Sequence, residues 1–184
     1  MSLPRIAAAD LPPDLAAYLA PRVARLGYLG EFFQCAAHQP QALLAFQQFT
    51  DAAKGGLSER LTETVALTAA QVMGNAYERH QHERLAVRLG LGRDWVADVV
   101  SMDPAPDGPM SADERLVQRF VIRVLETRGH DAGALFDEVV RALGPPGAVA
   151  VMMVLGRYVV HALMVNTLGL APPVPSIFDD GFNA

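Results

Sequence analysis

Apolar residues recur along this chain at three- and four-residue spacings, and no stretch shows the strict alternation of a half-buried strand. Turn signals divide the pattern into a series of helices. After a proline-rich opening, Asp14 to Leu26 reads as a helix with Leu15, Leu19, Val23 and Leu26 facing inward. Leu29 to Ala37 is a short helix, and Gln41 to Ala53 follows it, closed by Gly55-Gly56. Ser58 is placed to cap a very apolar helix that contains Glu63 and runs to about Met73, where Gly74 stops it. Asn75 caps the next helix, which ends near Gly90.

Asp94 to Ser101 is a short helix, and Met102 to Ser111 is the clearest loop. Ser111 and Glu114 form a capping box for a helix reaching about Thr127. Asp131 is expected to cap Ala132 to Leu143, Pro145-Pro146 breaks the chain, and a last helix spans about Gly147 to Leu168. The segment 171–184 is expected to be an extended, proline-rich tail. These elements predict an all-α, single-domain antiparallel helical bundle over residues 1–184.

Within this frame, Glu63 is out of place. It shares a helix stripe with Leu67 and Ala70, and an unpaired buried carboxylate is costly. The following helix carries Asn75, Glu78 and His82 on one stripe, and the short Gly74-Asn75 connection makes the two helices antiparallel neighbours. Glu63 and His82 lie about eleven and eight residues from that turn, at depths of ~16 and ~12 Å, so the two side chains are expected to meet beside a small cavity. A carboxylate can orient an imidazole and set its tautomer, which is the basis of acid–base chemistry. The plainer alternatives are an ion pair of Glu63 with Arg60 and an interhelix His82 bonded to a carbonyl. His80 points elsewhere, and Tyr77 reads as a core or interface tyrosine that keeps its hydroxyl bonded. Arg79 is expected to pair with Glu83, and the roles of Tyr158, His161 and Asn166 stay open. Two carboxylates and an imidazole also suit Mn, Fe or Zn, although a metal is not the expectation.

Composition narrows the setting. A hydrophobic fraction of 51% is high for a single small domain and points to a subunit interface. A net charge of −5 without a Lys/Arg cluster argues against nucleic-acid binding. A single cysteine, Cys35, excludes an internal disulfide and fits a reducing cytoplasm. The opening MSLPRIAAADLPPDL lacks a signal-peptide core, and the longest uninterrupted apolar run, Gly147 to Leu155, is too short to cross a bilayer. A cytoplasmic protein that contacts neither membrane nor nucleic acid is therefore expected.

Glu63, Asn75, Glu78 and His82 together resemble the Glu…Cys-x-x-Cys-x-x-x-His motif of the alkylhydroperoxidase-D-like proteins, which share a superfamily with the carboxymuconolactone decarboxylases. LSERLTETVAL (Leu57 to Leu67) resembles the leader into the family's Glu helix, and NAYERHQH (Asn75 to His82) resembles the signature of its cysteine-free branch. Arg88-Leu89-Gly90-Leu91 is similar to the family's glycine stop, and GRYVVHALMVNTLGL (Gly156 to Leu170) to its last helix. The resemblance spans roughly residues 40 to 170. It implies a bundle that assembles as a dimer, trimer or hexamer, and it calls for no metal or other cofactor.

Asn75 and Glu78 occupy both cysteine positions of that motif, which removes the dithiol peroxidase mechanism. The expected function is that of a carboxymuconolactone decarboxylase-like enzyme, a lyase using acid–base chemistry on a small organic substrate. Glu63 and His82 would be catalytic, with Asn75, Tyr77 and Glu78 shaping the substrate pocket. No residue of this stripe supplies a cation for a carboxylate substrate unless His82 is protonated, which argues against the decarboxylase activity itself. The alternatives are a non-catalytic oligomeric ligand-binding protein and, last, a thiol-independent alkylhydroperoxidase-like antioxidant.

Overall fold

A computed structural model describes residues 3–182, and among them there is no β-strand. After a 3₁₀ turn at Ala8–Asp10 the chain forms α1 (Pro13–Leu26), α2 (Glu31–Ala36), α3 (Pro40–Lys54), α4 (Glu59–Val72) and α5 (Ala76–Arg88). It continues through α6 (Arg93–Ser101), α7 (Ala112–Thr127), α8 (Gly133–Leu168) and the single turn α9 (Ile177–Asp180).

The centre of the bundle is α4, which packs against α5, α6, α7 and α8. Every residue from Thr62 to Ala70 is buried, as a helix enclosed on all sides requires. The Ser58 hydroxyl accepts the Leu61 N–H at 3.2 Å and fixes where α4 begins. Its end is set by Gly74 at φ 62°, where Asn75 N–H donates to the Ala70 carbonyl at 2.8 Å and Gly74 N–H to that of Gln71 at 3.2 Å. This pair of bonds satisfies the last carbonyls and turns the chain back at once into α5. The adjacency of the Glu63 and His82 helices follows from that turn.

Two elements differ from the sequence expectation. Asp131 does not cap a helix: it lies in the left-handed region at φ 55°, and α8 begins after Ala132 without a side-chain cap. The double proline does not separate two helices by a loop. The break falls at Gly144 (φ 72°, ψ 166°), and Pro145 and Pro146 then serve as the opening residues of a second arm, where a missing N–H costs nothing. By length and composition α8 could cross a membrane, but 56% of its most apolar window is buried inside the bundle, as befits a core helix.

The expected extended tail, 171–184, also needs correction; its last two residues lie outside the described range. Ser176 caps α9, and Ile177 is fully buried beside Trp95 and Val96 in one of the core clusters. The buried Glu83 carboxylate accepts the Ser176 hydroxyl at 2.6 Å and the Ile177 N–H at 3.1 Å. Arg79 does lie near Glu83, at 3.3 Å, so that i,i+4 pair belongs to the anchor of the tail. The proline-rich composition concealed one apolar residue with a place in the core.

Candidate functional site

The Glu63 carboxylate meets the His82 ring directly, with Nδ1 and Oε2 2.6 Å apart. Both side chains are buried, at 2% and 7% exposure. Arg60 is not available to Glu63, because it forms a two-pronged pair with Glu114, whose carboxylate also accepts the Trp95 indole N–H at 3.1 Å. On its other side, His82 Nε2 lies 3.2 Å from the Tyr158 hydroxyl and 3.6 Å from Glu78 Oε1. The His82 and Tyr158 rings meet edge to face at 5.3 Å.

Glu78 is the hub of the second half of the site. Its Oε1 accepts the Arg157 guanidinium at 2.5 Å, and its Oε2 lies 3.5 Å from His161 Nε2. Asn75 accepts the Glu78 N–H at 3.1 Å as the helix cap, while its amide nitrogen is 3.5 Å from His161 Nδ1. Asn75 thus orients His161 and does not line the cavity, which differs from its expected contact with substrate. The Tyr77 hydroxyl accepts the Phe32 N–H at 3.3 Å, and the residue lies at the cavity wall. Cys35 is buried in α2, in the cluster with Leu15 and Phe32, and is absent from the cavity lining.

The cavity in front of His82 holds about 200 Å³ and is walled by Glu78, His82, Arg157, His161, Lys54 and Arg22. Its cations outnumber its carboxylates. Arg157 answers Glu78, but Arg22 among the described residues bonds only the amide oxygen of Gln47 and stacks on Phe33 at 5.1 Å. Lys54 forms no ion pair among the described residues and faces the Tyr158 ring at 5.4 Å, while Arg157 covers that ring at 4.3 Å. An excess of half-buried positive charge in a cavity favours an anionic ligand. The stripe itself carries no such cation, and these groups reach the cavity from α1, α3 and α8.

The electrostatics divide the titrating groups. Burial would push the His82 imidazole down, yet the Glu63 carboxylate in contact and Glu78 nearby outweigh it and raise the pKa above the usual 6.5. Burial likewise opposes the Glu78 charge, but His161, Arg157 and His82 hold its carboxyl well below the ordinary range. Burial dominates at Tyr158, which keeps its proton far above pH 10. Burial also dominates at His161, lowered to about 4, so that ring is neutral at pH 7. A neutral His161 accepts from Asn75 at Nδ1 and turns its Nε2–H toward Glu78.

A pH effect on stability follows. The unfolded chain binds a proton at His161 near pH 6.5, whereas the folded ring resists until about 4. The stability associated with the neutral ring is complete above 6.5 and is lost as pH falls toward 4. His161→Gln, which keeps a donor for Glu78, is therefore expected to lose less stability than the wild type between pH 7 and pH 5, by about 2 kcal/mol. Urea unfolding at the two pH values measures the difference, and equal acid sensitivity in both proteins would refute it.

Sequence reasoning misses Arg157, Arg22 and Lys54 and leaves Tyr158 and His161 open. A signal was present: Arg157 is the only charged residue between Gly147 and Leu168, and His161 follows at i+4. A lone charge in an apolar helix calls for a buried partner. Asn166, also left open, donates to the Met73 carbonyl at 2.8 Å and ties α8 to the end of α4, outside the cavity. Among the described residues, no group of three or more His, Cys, Asp or Glu side chains is arranged to hold a metal ion.

Comparisons with known proteins agree with this architecture. Residues 40–110, which include Glu63, Asn75, Glu78 and His82, match the carboxymuconolactone decarboxylase family. No curated protein matches the chain. Among solved structures, an uncharacterized peroxidase-related protein of Ralstonia eutropha JMP134 with an alkylhydroperoxidase AhpD core superposes with a TM-score of 0.79 at 18% identity, covering 92% of this chain and 90% of the other. A cysteine-to-alanine variant of the debrominase Bmp8 in complex with 2,3,4-tribromopyrrole gives 0.78 at 15% identity, over 93% and 91% of the two chains. A peroxidase-related protein of Silicibacter sp. TM1040 gives 0.77 at 19%, over 95% and 91%. The fold is that of the alkylhydroperoxidase-D-like proteins.

Proposed function

We propose that this chain, which carries the carboxymuconolactone decarboxylase family segment in an alkylhydroperoxidase-D-like fold, is an acid–base enzyme acting on a small organic carboxylate. The observation that carries the reading is the Glu63–His82 contact at 2.6 Å behind a cavity with unneutralised cations. Glu63 accepts the Nδ1–H of His82 and leaves Nε2 to face Tyr158 and the cavity. The Glu63 carboxylate in contact raises the His82 pKa and so favours the imidazolium, the form that serves as general acid. Arg22 and Arg157 attract the substrate carboxylate, which supports the lyase reading that the sequence stripe alone had disfavoured. In a decarboxylation, the C–C bond electrons stay on the carbon that loses CO₂, and His82 delivers a proton to that carbon. Glu78, held ionised by Arg157, fixes the far side of the cavity.

The test uses a panel of β-keto acids and carboxylated unsaturated lactones in D₂O, followed by proton NMR. Conversion with deuterium incorporation at the carbon that gains the proton is expected for at least one class, and Cys35→Ser should leave its rate unchanged. No conversion or exchange across the panel, or a rate that disappears with Cys35, would overturn the reading.

Self-association is part of the same proposal. The outer face of α8 carries Val149, Met152, Met153, Val160 and Leu163, each between 39% and 57% exposed, at spacings that align them on one stripe. A contiguous apolar stripe of this kind supports burial against a second copy. Sedimentation should give a mass that is a multiple of 19.8 kDa, and Met153→Arg with Leu163→Arg should reduce it to the monomer. A wild-type monomer at micromolar concentration would contradict this.

A further inference from the structure

Lys54 is the only lysine in 184 residues, against fourteen arginines. It stands in the last turn of α3, half-buried, and its side chain enters the cavity that His82 and Arg157 share. An ammonium placed there only for its charge would be replaceable by arginine, which this chain uses at every other basic position apart from histidine. Its surroundings crowd two cations onto one aromatic ring with no carboxylate in contact with the ammonium. Its Nζ faces the Tyr158 ring at 5.4 Å, no carboxylate pairs with it among the described residues, and the Arg157 guanidinium lies against the same ring.

We propose that Lys54 is a nucleophile that forms a Schiff base with the carbonyl group of a small keto acid bound in this cavity. The proposal rests on the acid–base reading of His82 and specifies the substrate class. Burial and the repulsion of Arg157 draw the Lys54 ammonium below its ordinary pKa, which increases the fraction of free amine. A lysine needs that fraction to attack a carbonyl, and a desolvated site beside a second cation is a known way to supply it.

The chemistry closes without an outside oxidant or reductant. The free amine of Lys54 adds to the carbonyl carbon, and the resulting hydroxyl leaves as water with a proton from His82, giving an iminium. The carboxylate β to it leaves as CO₂, and the electron pair of the broken C–C bond flows into the iminium to form an enamine. After His82 has regained a proton from water, it protonates the enamine carbon. Water then hydrolyses the new iminium, releasing the ketone and restoring the amine. In sum, one keto acid anion and one proton give one ketone and CO₂. Arg157 and Arg22 remain to hold the carboxylate until it leaves.

The experiment is borohydride trapping of the intact protein with acetoacetate, read by mass spectrometry with peptide mapping, alongside turnover of the same keto acid. Besides Lys54 the only primary amine is the α-amino group, so assignment is direct. The expected result is one reduced adduct on Lys54, well above labelling of the α-amino group. Lys54→Arg keeps the positive charge and should lose both the adduct and turnover while the helix content stays unchanged. Lys54→Met should do the same. No adduct on Lys54, labelling no faster than that of the α-amino group, or full turnover in Lys54→Arg overturns the proposal. If turnover survives Lys54→Arg but is lost in His82→Gln, the Schiff base fails and the acid–base reading stands. If His82→Gln keeps full turnover, the acid–base reading fails whatever Lys54 does.

Discussion

Glutamine in place of His82 should lower turnover by roughly 10²–10⁴-fold, the usual worth of a positioned general acid, while the melting temperature stays near that of the wild type. The amide N–H of glutamine can still donate to Glu63, which now lies 2.6 Å from the imidazole, but it cannot carry a proton to the substrate. Alanine at the same position should lose turnover and stability together. It leaves the Glu63 carboxylate without its partner at 2% exposure, and breaking a buried pair costs about 3–5 kcal/mol. Steady-state rates and urea unfolding of the two variants separate the chemical role from the structural one. Unchanged turnover in His82→Gln would remove His82 from the mechanism.

The second large effect belongs to Arg157. Its guanidinium is buried against Glu78 at 2.5 Å, and both side chains are 7% exposed. Arg157→Met should destabilise the fold by about 3–5 kcal/mol, because it strands the Glu78 charge in the interior. The double variant Arg157→Met with Glu78→Gln should recover most of that loss, since no charge then lacks a partner. Equilibrium unfolding of the wild type, both single variants and the double variant gives the coupling. Additive losses would show that the pair does not hold the site together.

The pattern of the sequence was enough to place α4 and α5 and to bring Glu63 to His82. Ser58, Gly74 and Asn75 act locally, through caps and a tight turn, so their consequences could be read from a few neighbouring residues. The capping box of Ser111 and Glu114 was legible for the same reason, although the burial of Glu114 with Arg60 and Trp95 was not. The half of the site contributed by α8 and α3 depends on contacts 76 or more residues apart for Tyr158 and His161, and no local rule fixes those. Lys54 was hidden for a further reason: a cation at the end of a helix is ordinarily a solvated group favoured by the helix dipole. Only the packing of α3 against α8 turns it inward. The tail failed in the opposite way, because composition suggested an extended segment while the single residue Ile177 anchors it.

The most direct measurement of the central claim is ¹⁵N NMR of the His82 ring, titrated with and without a small keto acid. The account predicts a proton fixed on Nδ1 by Glu63 and an Nε2 that titrates with a midpoint above 6.5, shifting when the carboxylate enters the cavity. A ring that titrates at or below 6.5, or one that shows no response to any carboxylate, would contradict it.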